Sequence, residues 1–183
     1  MAVRDIYVID QPVLRRKAKK IDKITPETRQ LIDDMIETMR AAPGVGLAAP
    51  QVGASERLIV VEYGEDDESD DGVKPAKKKL YVVLNPEIVW ASEEMVEGTE
   101  GCLSIPGWVG DVARHEAIAI KGLNRNGQRI KINAAGWLAR VFQHEIDHLD
   151  GVLYIDRLVA PETLRRVEAG QEEAEDAKAE AIG

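Results

Sequence analysis

Three segments of this 183-residue chain carry side chains whose types and spacing can do chemistry, and the strongest is Gln143-His144-Glu145-Ile146-Asp147-His148. On a helix, residues four apart project from the same face one turn apart. His144 and His148 can therefore grip one metal ion, with Glu145 beside them in reach of a coordinated water. Neutral imidazole suits Zn²⁺, Fe²⁺, Ni²⁺ and Co²⁺. The plain alternative is a polar helix surface with two histidines in chance register. Trp137 and Val141 fall on the same face, which favours a half-buried site.

The second segment is Glu100-Gly101-Cys102-Leu103-Ser104. Catalytic metal sites usually take three protein ligands plus water, so two histidines leave one position to fill. Cys102 is the only thiol in the chain. A coordinated thiolate needs no separate base, because the cation lowers its pKa. By itself the segment also reads as a buried structural cysteine in a loop or strand end. The third segment, Gly44-Val45-Gly46-Leu47-Ala48-Ala49-Pro50-Gln51, is a run of small residues where backbone can approach backbone or ligand closely. It lacks the lysine and Ser/Thr of a phosphate loop, and the third glycine and preceding strand of a dinucleotide fingerprint. Gln51 can donate an amide N–H to an oxyanion. Read alone, the run is a tight turn into a buried strand.

Local patterns supply the elements that must hold these segments. Thr25-Pro26 is a helix start, and Leu31, Ile32, Met35, Ile36 and Met39 then recur at helical spacing until Pro43-Gly44. Leu58 to Tyr63 reads as a strand, as does Leu80 to Leu84, with Asn85-Pro86 as a break before Ile88 to Trp90. Alternating isoleucines mark strands at Ala117 to Leu123 and Gln128 to Asn133, joined by an Asn126-Gly127 hairpin turn. Gly136 to Leu149 is a second helix, with Leu138, Phe142 and Leu149 placed to pack on a sheet. The expected fold is α+β, with short antiparallel strands packed around a central metal-binding helix. Residues 1–160 form the expected catalytic domain. Residues 161–183 read as the start of a C-terminal helix, with Leu164 and Val167 its last apolar contacts, followed by an acidic tail expected to fray. Glu65 to Lys79, acidic and then lysine-rich, reads as an inserted loop without chemistry.

The net charge of −9 and pI near 4.9 exclude condensation on nucleic acid through bulk charge. The basic stretch Arg15-Arg16-Lys17 with Lys19-Lys20 reads as a solvated surface. No apolar run approaches the roughly 20 residues that span a bilayer. The N-terminal residues lack signal or transit character, so a cytoplasmic location is expected, with no membrane partner and no sequence-specific nucleic-acid binding.

In order and separation, the three segments resemble the three signature motifs of peptide deformylases, and the resemblance runs from about Val3 to about Leu158. It implies a hydrolase that removes the N-formyl group from the N-terminal methionine of new polypeptides and releases formate. It implies Cys102, His144 and His148 as ligands of one Fe²⁺ per chain, with Zn²⁺, Ni²⁺ or Co²⁺ as substitutes and water as the fourth ligand. Glu145 would be general base and acid. Gln51 and the backbone N–H of Leu103 would form the oxyanion hole. The Gly44-Val45-Gly46 segment would pair with the substrate backbone, and Trp137, Arg140 and Val141 would line the methionine pocket. At Arg140 an apolar residue is usual in similar proteins. Its stem is expected at the pocket mouth, with the guanidinium in solvent. The 65–79 insertion and the acidic tail depart from the family's common core, and the tail puts basic-helix docking on the ribosome in doubt. Docking near the exit tunnel is the partner the resemblance otherwise implies. Two rivals stand beside this reading. One is a zinc protease using Glu168 as third ligand, which has no use for Cys102 or Gln51. The other is an inactive binding protein, which has no need to keep Glu145 and Gln51 together.

Overall fold

Helix α1 (Pro26–Ala41) begins at a reciprocal cap: Thr28 N–H donates to the Thr25 hydroxyl, Thr25 N–H donates to the Thr28 hydroxyl, and Pro26 takes the first turn, where its missing N–H costs nothing. The computed structural model describes residues 1–64 and 78–167. Most of the expected insertion and the whole acidic tail therefore lie outside the described residues.

Five antiparallel strands form the larger sheet: β1 (Gly46–Ala48), β2 (Leu58–Tyr63), β3 (Lys79–Ala91), β6 (Ala117–Leu123) and β7 (Arg129–Ala135), in the order β1-β2-β3-β6-β7. Two helices cover its two faces, and the period-two alternation of β2 shows how. Leu58 and Val60 point into a core with Leu31, Ile32, Met35 and Met39 of α1. Ile59 and Val61 point the other way, into a core with Phe142, Ile146 and Leu149 of α2 (Gly136–Leu149). The expected α+β fold around a central helix is what the chain adopts. Among the described residues, no helix is long and apolar enough to cross a membrane.

β3 departs from the expectation of two strands broken at Asn85-Pro86. It is one strand whose pairing with β6 slips twice, between Leu84 and Glu87 and again between Ile88 and Trp90. Asn85 sits at the first of these at φ 50, a left-handed conformation that asparagine tolerates. Its side chain accepts from Ile21 N–H and donates to Ile21 O. Pro86, which has no N–H for a ladder, falls inside the bulge.

The smaller sheet was not anticipated. β4 (Met95–Cys102) and β5 (Ile105–His115) form a long hairpin, and β8 (Arg165–Arg166) adds to its far side by pairing with Trp108 and Val109. Among the described residues, no α-helix starts after Pro161. Pro161–Thr163 makes a single 3-10 turn, and the chain then extends into β8, with Val167 N–H donating to Gly107 O. Unpaired N–H and C=O groups along β5 are a stronger call on these residues than a helix with two apolar contacts.

Candidate active site

Helix α2 crosses between the two sheets and is buried from Leu138 to Leu149. It presents His144 and His148 one turn apart, their ring centroids 5.0 Å apart. The end of β4 brings up Cys102, whose Sγ lies 3.3 Å from His148 Nε2. The three ligand atoms lie within 4.8 Å of one another, and all three residues are buried. The only thiol and both helix histidines thus converge as the motifs require.

The chemistry of this donor set fits a cation. Burial pushes the Cys102 thiol up to about 12, with the charges of Glu145 and Glu100 acting in the same direction. A thiolate in that position needs a positive ion beside it. His144 Nδ1 lies 2.9 Å from Glu100 Oε2. Burial alone would raise the Glu100 carboxyl, but hydrogen bonds and charge from Arg114 and His144 hold it far below the usual range. An ionised carboxylate only accepts, so Nδ1 carries the proton and Nε2 keeps the lone pair that a metal requires. Tyr154 stacks on the same ring at 6.1 Å, and its hydroxyl donates to Trp108 O.

Glu145 is fully buried, and neither carboxylate oxygen has a hydrogen-bond partner among the described residues. Burial raises its pKa well above the usual value, the charge of Glu100 adds to this, and Arg114 opposes it. A carboxylate with a raised pKa and no structural partner is suited to taking and returning a proton. The carboxylate leans on Gly46, where an added Cβ would lie 2.9 Å from Glu145 Cδ and closer still to Oε1. Gly44 is similarly close to Leu103: a Cβ there would meet Leu103 Cδ1 at 2.9 Å.

Gln51 sits in a short 3-10 turn (Ala49–Val52) after β1 and is wholly buried. Its Oε1 accepts from Ala48 N–H at 2.8 Å, which fixes the amide. Its Nε2 then points at Ser104 Oγ (3.2 Å) and Cys102 Sγ (3.7 Å). The N-terminal segment clasps both neighbours from behind: Tyr7 N–H donates to Gln51 O and Ile9 N–H to Ser104 O. A cleft of about 620 Å³ opens beside the site, walled by Gly44 and Val45 on one side and by Cys102, Leu103, Ile105 and Trp108 on the other. β1 is one of the two edge strands of its sheet.

Val141 is fully buried in the main apolar core, Trp137 is half-buried against that core, and neither lines the cleft at Cys102. The expectation that the Arg140 guanidinium reaches solvent is wrong. It is 5% exposed, and it donates to Glu100 and to the carbonyls of Val96 and Val112, because a buried carboxylate and clustered carbonyl oxygens outcompete water for it. Glu100, Arg114 and Asp147 had no role in the sequence reading. The available signal was chemical: a ligating histidine needs an acceptor for its second nitrogen, and Glu100 stands in the cysteine motif itself.

The family model for polypeptide deformylase matches residues 3–163. A peptide deformylase of Symbiobacterium thermophilum is 53% identical over 178 residues, 97% of this chain and 76% of the relative. The crystal structure of a peptide deformylase from Ehrlichia chaffeensis in complex with actinonin superposes with a TM-score of 0.78 at 39% identity, covering 89% of this chain and 92% of that one. A class I type b peptide deformylase from Acinetobacter baumannii, solved with Met-Ala-Ser bound, gives 0.76 at 35% identity over 86% of this chain and 100% of that one. Matches of this identity, over this much of the chain, establish that the chain belongs to the peptide deformylase family.

Proposed function

We propose that the Cys102, His144 and His148 triangle holds the metal ion of this deformylase and that Glu145 moves the protons. The protein is a hydrolase that removes the N-formyl group from the methionine of newly made polypeptides. The observation that carries the assignment of residues is Glu145: a buried, unpartnered carboxylate beside three convergent ligand atoms and against the glycine of an edge strand.

When bound, the ion supplies Lewis acidity and makes hydroxide accessible near neutral pH. The chain's own residues do the rest. The substrate backbone adds to the free edge of β1 along Gly44-Val45-Gly46, which sets the formyl carbon over the ligand triangle. The Met-Ala-Ser held by the Acinetobacter relative is a peptide of the kind such an edge accepts. Glu145 accepts a proton from the attacking water and delivers it to the departing amine nitrogen. Gln51 Nε2–H and Leu103 N–H donate to the oxygen that gains charge. Ser104 and Ala48 hold Gln51 in that pose.

A thiolate and two imidazoles accept Fe²⁺, Zn²⁺, Ni²⁺ or Co²⁺, and we assign Fe²⁺ as the working ion. We infer a cytoplasmic location and encounters near the ribosomal exit tunnel, a reading supported by a substrate that is a nascent chain. The test is formate release from a formyl-Met peptide by anaerobically purified, metal-analysed protein. Cys102→Ala is expected to lose most of the metal. Glu145→Gln is expected to keep the metal and lose turnover by 10²-fold or more, on the order expected for a general acid–base. Tight, stoichiometric metal in Cys102→Ala, or near-normal kcat in Glu145→Gln, defeats the assignment.

A further inference from the structure

We propose that Arg140 is a positioning residue that fixes the strand-borne thiolate of Cys102 relative to the helix-borne imidazoles, and that position 98 is glycine to admit it. The proposal rests on the Cys102, His144 and His148 reading given above.

Arg140 lies on α2 one turn before His144. Its Nη1 donates to Glu100 Oε1 at 2.9 Å and Val112 O at 2.8 Å, and lies 3.4 Å from Gly98 O. Its Nη2 donates to Val96 O at 2.6 Å. Val96, Gly98, Glu100 and Cys102 are alternate residues of β4, and Arg140 engages the first three. A helix residue therefore grips the strand along the stretch that ends in the third ligand.

Arg114 makes a separate tie from the hairpin to the helix. It donates to both oxygens of Glu100, and its Nη1 donates to Asp147 Oδ2. Asp147 lies past His144 on α2, and Arg140 lies before it. One attachment would let the helix rock about that point. Two attachments on either side of His144 fix its azimuth, and with it the direction of both imidazoles.

Glu100 shows how complete the arrangement is. Oε1 takes Arg114 Nε and Arg140 Nη1, while Oε2 takes Arg114 Nη2 and His144 Nδ1. A carboxylate accepts about four hydrogen bonds, so no capacity is left over. Without Arg140, Oε1 loses one of its two donors and three backbone carbonyls lose a cationic donor, Val112 O in a buried place. Gly98 is part of the same device. A Cβ built there lies 2.9 Å from Arg140 Cζ, 3.0 Å from Nη2 and 3.1 Å from Nε, so the guanidinium occupies the space of the missing side chain.

The test uses the full chain loaded with Co²⁺ or Zn²⁺, and reads metal release to excess chelator together with the Co²⁺-thiolate absorption band. Arg140→Leu is expected to release metal about tenfold faster or more, the range seen when outer partners of metal ligands are removed. Gly98→Ala is expected to do the same by displacing the guanidinium while leaving the charge in place. The double variant Gly98→Ala with Arg140→Leu is expected to be no worse than Arg140→Leu alone, since the alanine then meets no guanidinium. Wild-type release rates and an unchanged Co²⁺ band in both single variants, even with a lowered Tm, overturn the proposal, as does full additivity in the double. Should Arg140→Leu fail to fold, Gly98→Ala decides by the same readouts. Cys102→Ala separates the two readings. If it too releases metal at the wild-type rate, the ligand assignment fails. If it releases fast while Arg140→Leu and Gly98→Ala do not, only the role of Arg140 fails.

Discussion

Gly46→Ala is the smallest change that tests whether the position of Glu145 matters rather than its mere presence. The new methyl would lie 2.9 Å from Glu145 Cδ and nearer to Oε1. Ordinary carbon contacts begin near 3.5–4.0 Å, so the carboxylate must retreat by about 1 Å. Glu145 is fully buried, so it can retreat only into packed surroundings. A misplacement of that size costs on the order of 10²-fold in rate, or about 2.7 kcal/mol in the barrier. The ligands are on other elements, so the metal is expected to stay. The assay is formate release coupled to formate dehydrogenase, with metal content measured on the same sample and KM and kcat resolved separately. The reasoning predicts that kcat falls by about 100-fold at full metal occupancy. A kcat within about threefold of the wild type, with metal retained, would refute it: Glu145 would then tolerate displacement, and its burial against Gly46 would have no catalytic meaning.

Phe142 is fully buried and meets Tyr81 edge-on at 5.4 Å, so Phe142→Ala should destabilise by about 3–5 kcal/mol in urea unfolding; a loss under about 1 kcal/mol would show that the core between α2 and the large sheet collapses to fill the space. Burial alone would raise the Asp34 carboxyl, but hydrogen bonds from Gln30, Arg4 and the Ala2 N–H outweigh it and lower the pKa. Its contribution is therefore present above the unfolded value of 3.8 and is lost as pH falls through the lower folded value, so Asp34→Asn should cost stability at pH 7 and progressively less in acid. A stability difference that does not change with pH would remove the ion pair from the account.

Periodicity made α1, α2, β2 and the β6–β7 hairpin legible before any coordinates, because each buries one face and leaves a clear 3.6 or 2 repeat. The β4–β5 hairpin was hidden for a physical reason. Glycines 98, 101, 107 and 110 dilute its pattern, and two of its buried residues, Glu100 and Arg114, are charged and so read as surface. Local sequence says nothing about a carboxylate and a guanidinium that satisfy one another at a distance. The same blindness misplaced Arg140, whose acceptors come from strands far off in the chain. The convergence of Cys102, His144 and His148, by contrast, was readable, since thiol and imidazole are scarce here and helical spacing alone aligns His144 with His148. Asn85-Pro86 reads as a break on propensity, yet a bulge lets both residues stay in the strand.

The clasp made by Tyr7 and Ile9 has a consequence for when the enzyme comes into being. Ile9 and Ser104 are separated by more than half the length of the chain, and the hydrogen bond between them cannot form until both have been synthesised. Gln51 waits on Ser104 for its pose, and the ligand triangle waits on His148. Such non-local pairings put loop closure ahead of any energetic return, which slows assembly. Ile9 thus finds its partner only once the chain has been made past Ser104, whereas Ala2 and Arg4 can already meet Asp34 of α1. A protein that removes the formyl group from other new chains has no ligand triangle of its own until His148 has been made.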